Sequence, residues 1–325
     1  MLITDSKKDC ILDEGIDKIV DCLIYDYDSK DVIELKRLED GELNKKYNVY
    51  FIRTKSNEYI LKKSQNDYEA IIYEKFLREK SLPVPNYKGK IIADGGKTWF
   101  LLEFIEGKTL REGNLSTYCR VGNELAKLHC KFLNLDLRSK DYSKVKNNNE
   151  MLMDKLDEIE ILIDKGKTKT LNIDTIKVLK LAAKRLRGQP QVLIHDDLLP
   201  INIINNDKQI KFIDWEHACI GCYSQDIGRL LGDYKNDKGN LWVDSRWEED
   251  ILATYCQSLC DESSFEISWN EFKIDYNCSK LWNYANIVLA HIIKDWKLTK
   301  WYYLNYNSMI EQIEKLKELD GLKNI

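Results

Sequence analysis

The first third of the chain changes from a helical to a strand-like spacing of its apolar residues. Residues 11–25 carry an apolar stripe at helical spacing and predict a helix on the outside of an N-terminal lobe. Short apolar runs then predict three strands and a hairpin, at residues 33–38, 47–52, 58–62 and 91–104. These patterns are typical of an antiparallel sheet with a helix packed on it.

From residue 107 onwards the apolar residues follow a helical spacing instead. One earlier helix is predicted at residues 67–80, where Pro83 and Pro85 end it because proline lacks the N–H that a helix needs. The later predicted helices cover residues 118–133, 151–163, 173–186, 247–260, 269–277, 280–297 and 302–318. The sequence therefore predicts an α+β chain with a small antiparallel-sheet domain at residues 1–105 and a mainly helical domain at residues 106–325.

Three polar residues interrupt short apolar runs in the segment 192–226. Asp197 follows the apolar run 192–194, Asn202 follows five residues later, and Asp214 ends the apolar run 210–213. Residues 205–207 form a cluster of turn-favouring side chains. We expect a strand, a loop with Asp197 and Asn202, and two strands joined by a turn, with Asp214 at the end of the second.

These residue types suit phosphoryl transfer. The transferred group needs a carboxylate that orients an attacking hydroxyl and accepts its proton, together with metal ions held against the phosphates. Mg²⁺ is held by a few protein oxygens and by phosphate oxygens. Asp197 as the base, with Asn202 and Asp214 as Mg²⁺ ligands, meets both requirements. Two buried, hydrogen-bonded aspartates in a loop-rich domain are the simpler alternative.

The segments His195-Asp196-Asp197-Leu198-Leu199-Pro200-Ile201-Asn202 and Ile213-Asp214-Trp215-Glu216 resemble the aminoglycoside phosphotransferase and choline kinase family. The resemblance implies a small-molecule kinase with a two-lobed, protein-kinase-like fold. One position departs from the common aminoglycoside pattern, which has glycine where this chain has Asp196. Choline-kinase-like members carry a polar residue there. The departure therefore leaves open which subfamily the chain resembles, but it does not change the expected phosphoryl-transfer chemistry.

The resemblance also implies how ATP or GTP is bound. Lys62, on the third predicted strand, corresponds to the lysine that binds the α- and β-phosphates. A helical glutamate should pair with it, and we expect Glu69, with Glu74 as the alternative. The backbone of Glu103 and Ile105 corresponds to the segment that holds adenine. Residues 39–46 correspond to the loop over the phosphates, although they contain one glycine only.

Composition and charge narrow the class of protein. The net charge of −4 argues against nucleic-acid binding, which uses basic surfaces. The sequence has neither an apolar run long enough to cross a bilayer nor the layout of a signal peptide, so we expect a cytoplasmic protein. The nine cysteines are expected to be reduced. Those at 219, 222, 256 and 260 are read as small core residues rather than as zinc ligands.

Some histidine and aspartate side chains are expected to be structural. We interpret His129 and His195 as packing and hydrogen-bonding residues. We interpret Asp226 as a residue that caps a helix or fixes the catalytic loop.

The acceptor is less well defined than the chemistry. Residues 242–301 are rich in tryptophan and acidic side chains. In the resembled family the C-terminal helices line the acceptor site, where acids suit an aminoglycoside and aromatics suit a quaternary amine. An aminoglycoside or aminated sugar, with antibiotic resistance as its biological role, is the first prediction, and a choline- or ethanolamine-type alcohol is the second. A spore-coat-type protein with little turnover is the third. The choice between ATP and GTP and the oligomeric state stay open.

Overall fold

A computed structural model describes residues 16–24, 32–40, 45–93, 96–133, 135, 143–166, 168, 170–206, 208–232 and 243–318. In chain order the helices and strands are α1 (Ile16–Ile24), β1 (Val32–Asp40), β2 (Lys45–Thr54), β3 (Glu58–Ser64), α2 (Tyr68–Lys75), β4 (Tyr87–Ile92), β5 (Thr98–Glu103), β6 (Lys108–Thr109), α3 (Leu115–Leu133), α4 (Asn148–Asp164), α5 (Ile173–Gly188), β7 (Gln191–Ile194), β8 (Ile203–Asn205), β9 (Ile210–Phe212), β10 (Cys219–Cys222), α6 (Gln225–Leu230), α7 (Glu248–Glu262), α8 (Trp269–Ile293) and α9 (Lys300–Glu318). The predicted order of an antiparallel sheet followed by helices is confirmed.

The chain forms two compact units, and each unit is built from two separate segments. The first unit contains residues 1–110 and 201–217, and the second contains residues 111–200 and 218–325. These units differ from the domains expected from the sequence, at residues 1–105 and 106–325. That domain division stays a prediction. Within the described residues, no helix is both long enough and apolar enough to cross a membrane.

The first unit is organised by a sheet whose described strands run antiparallel in the order β1-β2-β3-β5-β4. Side chains alternate between its faces. On one face, Tyr59 and Leu61 of β3 form a core with Ile16 and Val20 of α1. Lys62 therefore points to the opposite face, where Tyr73 of α2 contacts the ring of Phe100. Burial of each large apolar side chain contributes about 1.5–3 kcal/mol, and this core fixes the direction in which Lys62 points.

A second, small sheet of the first unit carries the segment that leads to Asp214. Its described strands lie in the order β6-β8-β9, so the predicted pair of short strands after Asn202 is confirmed. Gly107, just before β6, has φ +156°, and a Cβ there would lie 2.7 Å from Cγ2 of Ile204 and 2.8 Å from the carbonyl oxygen of Asn205. Glycine at this position lets β6 approach β8 closely.

The second unit is mainly helical, and its longest described helix corrects the sequence prediction. Residues 269–277 and 280–297 were expected as two helices, but α8 is continuous from Trp269 to Ile293. Asn277 was expected to end the first of these two helices. Asn277 is accommodated instead because its Nδ2 donates to the carbonyl oxygen of Lys273, at 2.6 Å, and its Oδ1 accepts from Gln312 of α9, at 2.8 Å.

Smaller corrections concern α2 and β10. The helix predicted at residues 67–80 ends at Lys75. The segment Cys219–Cys222 was not predicted as a strand, but it pairs antiparallel with β7 as β10. All four of its residues are buried, and burial raises the pKa of Cys222 to about 12, which keeps its thiol neutral. Of the helix predicted at residues 11–25, residues 11–15 and 25 lie outside the described residues.

Candidate active site

Three charged side chains meet in the first unit. Nζ of Lys62, on β3, lies 2.6 Å from Oε2 of Glu69, on α2, and it also contacts Oδ1 of Asp214 after β9. Glu69 is 1% exposed and Asp214 is 41% exposed. Residues distant in sequence are thus held together by one shared lysine. Glu74, the alternative partner, instead binds Lys90 at 2.9 Å.

Backbone contacts explain why Asp214 reaches this position. Asp214 has a left-handed backbone, with φ +68°, a conformation that aspartate tolerates better than most residues. The N–H of the next residue, Trp215, donates to Oε1 of Glu69 at 3.1 Å, and the Trp215 ring is buried. The N–H of Ile213 donates to the carbonyl oxygen of Asn202 at 2.9 Å, so Asn202 lies alongside the end of β9.

The charge of Lys62 is set by competing effects. Burial alone would lower the pKa of Lys62, but the charges of Glu69 and Asp214 raise it overall, so the ammonium stays charged. Burial raises the pKa of Glu69 to about 7, and Lys62 opposes that rise. A cation this well shielded from water interacts more strongly with an anionic group than an exposed lysine would.

The same corner of the first unit offers oxygen ligands for a metal ion. Ligand atoms of Glu69, Asp214 and Glu216 all lie within 4.8 Å of one another. A donor set of carboxylate oxygens suits a hard cation such as Mg²⁺. Both oxygens of the buried Glu69 are bonded, one to Lys62 and one to Trp215, whereas Asp214 is 41% exposed, so Asp214 is more accessible than Glu69 to a metal–nucleotide complex. Glu216 was not singled out from the sequence, although it lies only two residues after Asp214.

The segment predicted to hold adenine follows β5. The N–H of Glu103 donates to the carbonyl oxygen of Asn86 at 2.9 Å, and its carboxylate accepts from Asn86. Ile105 is buried. The adenine role of Glu103 and Ile105 stays a prediction. Of the predicted phosphate loop at residues 39–46, residues 41–44 lie outside the described residues.

In the second unit, Asp226 of α6 holds the loop that follows β7. One carboxylate accepts hydrogen bonds from the backbone N–H of His195, at 2.7 Å, and of Asp196, at 2.9 Å. The ring of His129 lies 3.2 Å from the same carboxylate, and both side chains are fully buried. Burial alone would raise the pKa of Asp226, but the hydrogen bonds and nearby charge of His129 and His195 lower it overall. The predicted structural role of Asp226 agrees with these contacts.

The next residues of this loop are also fixed. Asp196 has φ +62°, in the left-handed region that glycine adopts most easily and that aspartate tolerates better than most residues. Its Oδ1 accepts from Nδ2 of Asn148 at 2.7 Å, and Trp282 donates to Oδ1 of that asparagine at 3.1 Å. A short polar chain from α8 and α4 therefore orients the residue that precedes Asp197.

Asp197 has partners on both its backbone and its side chain. Its N–H donates to Nδ1 of the fully buried His195 at 3.3 Å. Its Oδ1 accepts from the guanidinium of Arg229, on α6, at 2.7 Å. The Asp197 side chain remains 29% exposed. The contact with Arg229 was not predicted, because 32 residues separate the two positions and no local pattern joins them.

Comparison with known proteins gives one family and one fold. Residues 34–264 match the sequence profile of the phosphotransferase enzyme family. The chain is similar to human ethanolamine kinase 1, with 29% identity over 93 residues that cover 27% of this chain and 21% of that protein. Across the curated relatives it matches, the aligned part spans about a fifth to a quarter of their length.

Solved structures resemble the chain over most of its length. Choline kinase from Cryptosporidium parvum has a TM-score of 0.62 and 15% identity, covering 95% of this chain and 97% of that one. The GDP complex of wild-type aminoglycoside 2'-phosphotransferase-IIIa has a TM-score of 0.58 and 15% identity, covering 90% and 96%. At these identities the similarity establishes the fold, and the predicted protein-kinase-like fold is confirmed.

Proposed function

Because this chain belongs to the phosphotransferase enzyme family, we propose that it transfers the γ-phosphoryl group of ATP or GTP to a hydroxyl of a small, amine-bearing acceptor. The observation that carries the proposal is the lysine shared by two acids, Lys62 with Glu69 and Asp214. A charged, shielded lysine held in this way is suited to binding phosphate oxygens. A protein that acts only in assembly would not need this arrangement.

The nucleotide is assigned to residues of the first unit. Lys62 binds the α- and β-phosphates, and Glu69 keeps its ammonium in place through the 2.6 Å contact. Asn202 and Asp214 would hold Mg²⁺ through side-chain oxygens, the ligand type that this ion prefers. When bound, Mg²⁺ neutralises charge on the phosphate oxygens. Glu103 and Ile105 contact the adenine through their backbone.

The acceptor is assigned to Asp197. Its carboxylate orients the acceptor hydroxyl and accepts the hydroxyl proton as the oxygen bonds to the γ-phosphorus and the bond to the β-phosphate oxygen breaks. The products are the phosphorylated acceptor and a nucleoside diphosphate. The exposed fraction of Asp197, 29%, leaves it accessible to such a molecule. A cytoplasmic location, where nucleoside triphosphates are available, is part of the proposal.

We rank an ethanolamine-type amino alcohol first among acceptors, and an aminoglycoside or aminated sugar second. The first choice is supported by the names of the curated relatives, which are ethanolamine kinases. The second is supported by the structural similarity to an aminoglycoside phosphotransferase. This order reverses the one expected from the sequence, and antibiotic resistance becomes the biological role only if the second acceptor class is used.

The test is release of ADP or GDP in the presence of Mg²⁺, with ethanolamine, choline, aminoglycosides and simple sugars as acceptors. We expect turnover with one acceptor class, and loss of that turnover in Asp197→Ala with nucleotide binding retained. Positioned proton transfer contributes about 10²–10⁴-fold to a rate, so the loss should be at least of that order. Near-full activity of Asp197→Ala would refute the role of Asp197, and nucleotide binding without turnover of any acceptor would refute the proposed function.

A further inference from the structure

We infer that Arg229 is a positioning residue for Asp197, which it holds in the orientation needed to meet the acceptor hydroxyl. The inference rests on the proposed function, because it assigns a role in the same reaction. Arg229 would not touch the acceptor or the nucleotide. It would act through the carboxylate that does.

The contact between the two side chains is close and largely shielded from water. The guanidinium Nη2 of Arg229 lies 2.7 Å from Oδ1 of Asp197, and the side chains are 13% and 29% exposed. Exposed ion pairs contribute little, because water competes for both charges and the side chains lose rotamer freedom. Partial burial weakens that competition, so this pair restrains the Asp197 side chain more firmly than a surface pair would.

The helix that carries Arg229 is itself held in place. The hydroxyl oxygen of Ser224, just before α6, lies 2.7 Å from the hydroxyl oxygen of Ser279 on α8. A Cβ on Gly228 would lie 2.9 Å from Cβ of Ser279, which shows how closely α6 approaches α8. The guanidinium therefore projects from a helix with little room to move, as a positioning residue requires.

Asp226 and Arg229 bind neighbouring parts of one loop. They are three residues apart and so lie on the same side of α6. Asp226 accepts from the backbone N–H of His195 and Asp196, while Arg229 binds the side chain of Asp197. One helical turn thus fixes both the path of the loop and the direction of its last carboxylate. Asp226 thus holds the backbone of the loop, whereas Arg229 contacts the carboxylate proposed to accept the proton, as a positioning residue would.

The experiment compares Arg229→Ala and Arg229→Lys with the wild type and with a matched control. Arg246→Ala is the control, because Arg246 pairs with Asp244 at a similar distance, 2.6 Å, but is 83% exposed. For each protein, kcat, KM for both substrates, the Kd of the Mg²⁺-nucleotide and the unfolding temperature are measured. Turnover of Arg229→Ala is also measured with added guanidinium chloride at low concentration, and with NaCl at equal ionic strength.

We expect Arg229→Ala to lower kcat about 10²-fold, the usual scale for a displaced catalytic group, with nucleotide Kd changed less than about twofold. Arg229→Lys should keep part of the rate, since a lysine supplies the charge but not the planar fork. Guanidinium, but not NaCl, should restore part of the activity of Arg229→Ala and none of that of Asp197→Ala. Arg246→Ala should match the wild type.

Three results would overturn the inference. They are wild-type kcat in Arg229→Ala, the absence of any specific effect of guanidinium, and a parallel fall of kcat, nucleotide affinity and unfolding temperature in both Arg229 variants. Each of these leaves the proposed function intact if the wild type turns over an acceptor. A wild type without turnover on the acceptor panel would refute the proposed function and the inference together.

Discussion

Replacing Glu69 with glutamine would remove one negative charge from the Lys62 cluster while keeping its shape. Glutamine keeps an oxygen that accepts from the N–H of Trp215, but the group facing Lys62 becomes an NH2, which cannot accept a hydrogen bond from an ammonium. The variant therefore separates the charge of Glu69 from its packing.

The expected size of the effect follows from the kind of bond that is lost. A hydrogen bond to a charged group contributes about 1.5–3 kcal/mol, so its loss removes about that much from the restraint on Lys62, which keeps its contact with Asp214. If that restraint is used in nucleotide binding, the Kd of the Mg²⁺-nucleotide rises about 10–100-fold. Burial already raises the pKa of Glu69 to about 7, so an uncharged side chain relieves a desolvation cost. Fold stability should change little.

Isothermal titration of a non-hydrolysable Mg²⁺-nucleotide, together with thermal unfolding, measures both quantities on one preparation. Glu69→Ala is the comparison, because it also removes the acceptor for the N–H of Trp215 and should lose stability by about 1–3 kcal/mol. A wild-type Kd in Glu69→Gln would refute the argument that the charge of Glu69 positions Lys62 for nucleotide. Equal losses of stability in both variants would refute the separation of charge from packing.

Two further predictions concern Asp214 and Asp226. Asp214→Ala should weaken Mg²⁺-nucleotide binding by about 10–100-fold in titration, because one charged partner is worth about 1.5–3 kcal/mol, whereas Glu74→Ala, which removes the partner of Lys90, should not. A larger effect from Glu74 would contradict the assignment. The pKa of Asp226 is lowered below its ordinary 3.8, so its stabilisation is present above that pH and is lost as the pH falls through the lower, folded-state value. Asp226→Asn should therefore lower the unfolding temperature most at neutral pH and progressively less in acid, and a difference that stays constant with pH would refute the linkage.

The features that could be predicted from the sequence are those with a local pattern. Alternation of apolar residues located the strands, and the face that carries Lys62 followed from that alternation. The choice between Glu69 and Glu74 depended on resemblance. The two are five residues apart, which places them about 140° apart around a helix. Which of them faces Lys62 is set by how α2 is rotated on the sheet, and no local pattern encodes that rotation.

The features that were missed depend on partners remote in sequence. The side chain of Asn277 within α8 accepts a hydrogen bond from Gln312 of α9, which is 35 residues away. Strand β10 forms only by pairing with β7, whose last residue lies 25 positions before the first residue of β10. The Arg229 contact with Asp197 requires α6 to be in place first. Polar residues that look like a break or a solvated surface become structural only when a distant element supplies the matching donor or acceptor. These are the elements for which single-sequence reasoning has no signal.

The division of the first unit into two chain segments has a consequence for biosynthesis. Strand β6 ends at Thr109, but its partner β8 begins at Ile203, and Asp214 follows later still. At translation rates of about 5–20 residues per second, the missing segment leaves the ribosome about 5–20 s after residue 110. Over that interval the nascent chain carries Lys62 and Glu69 without Asp214. A gene fragment cut at residue 110 would encode the same incomplete unit, so splitting this protein into two polypeptides requires another boundary.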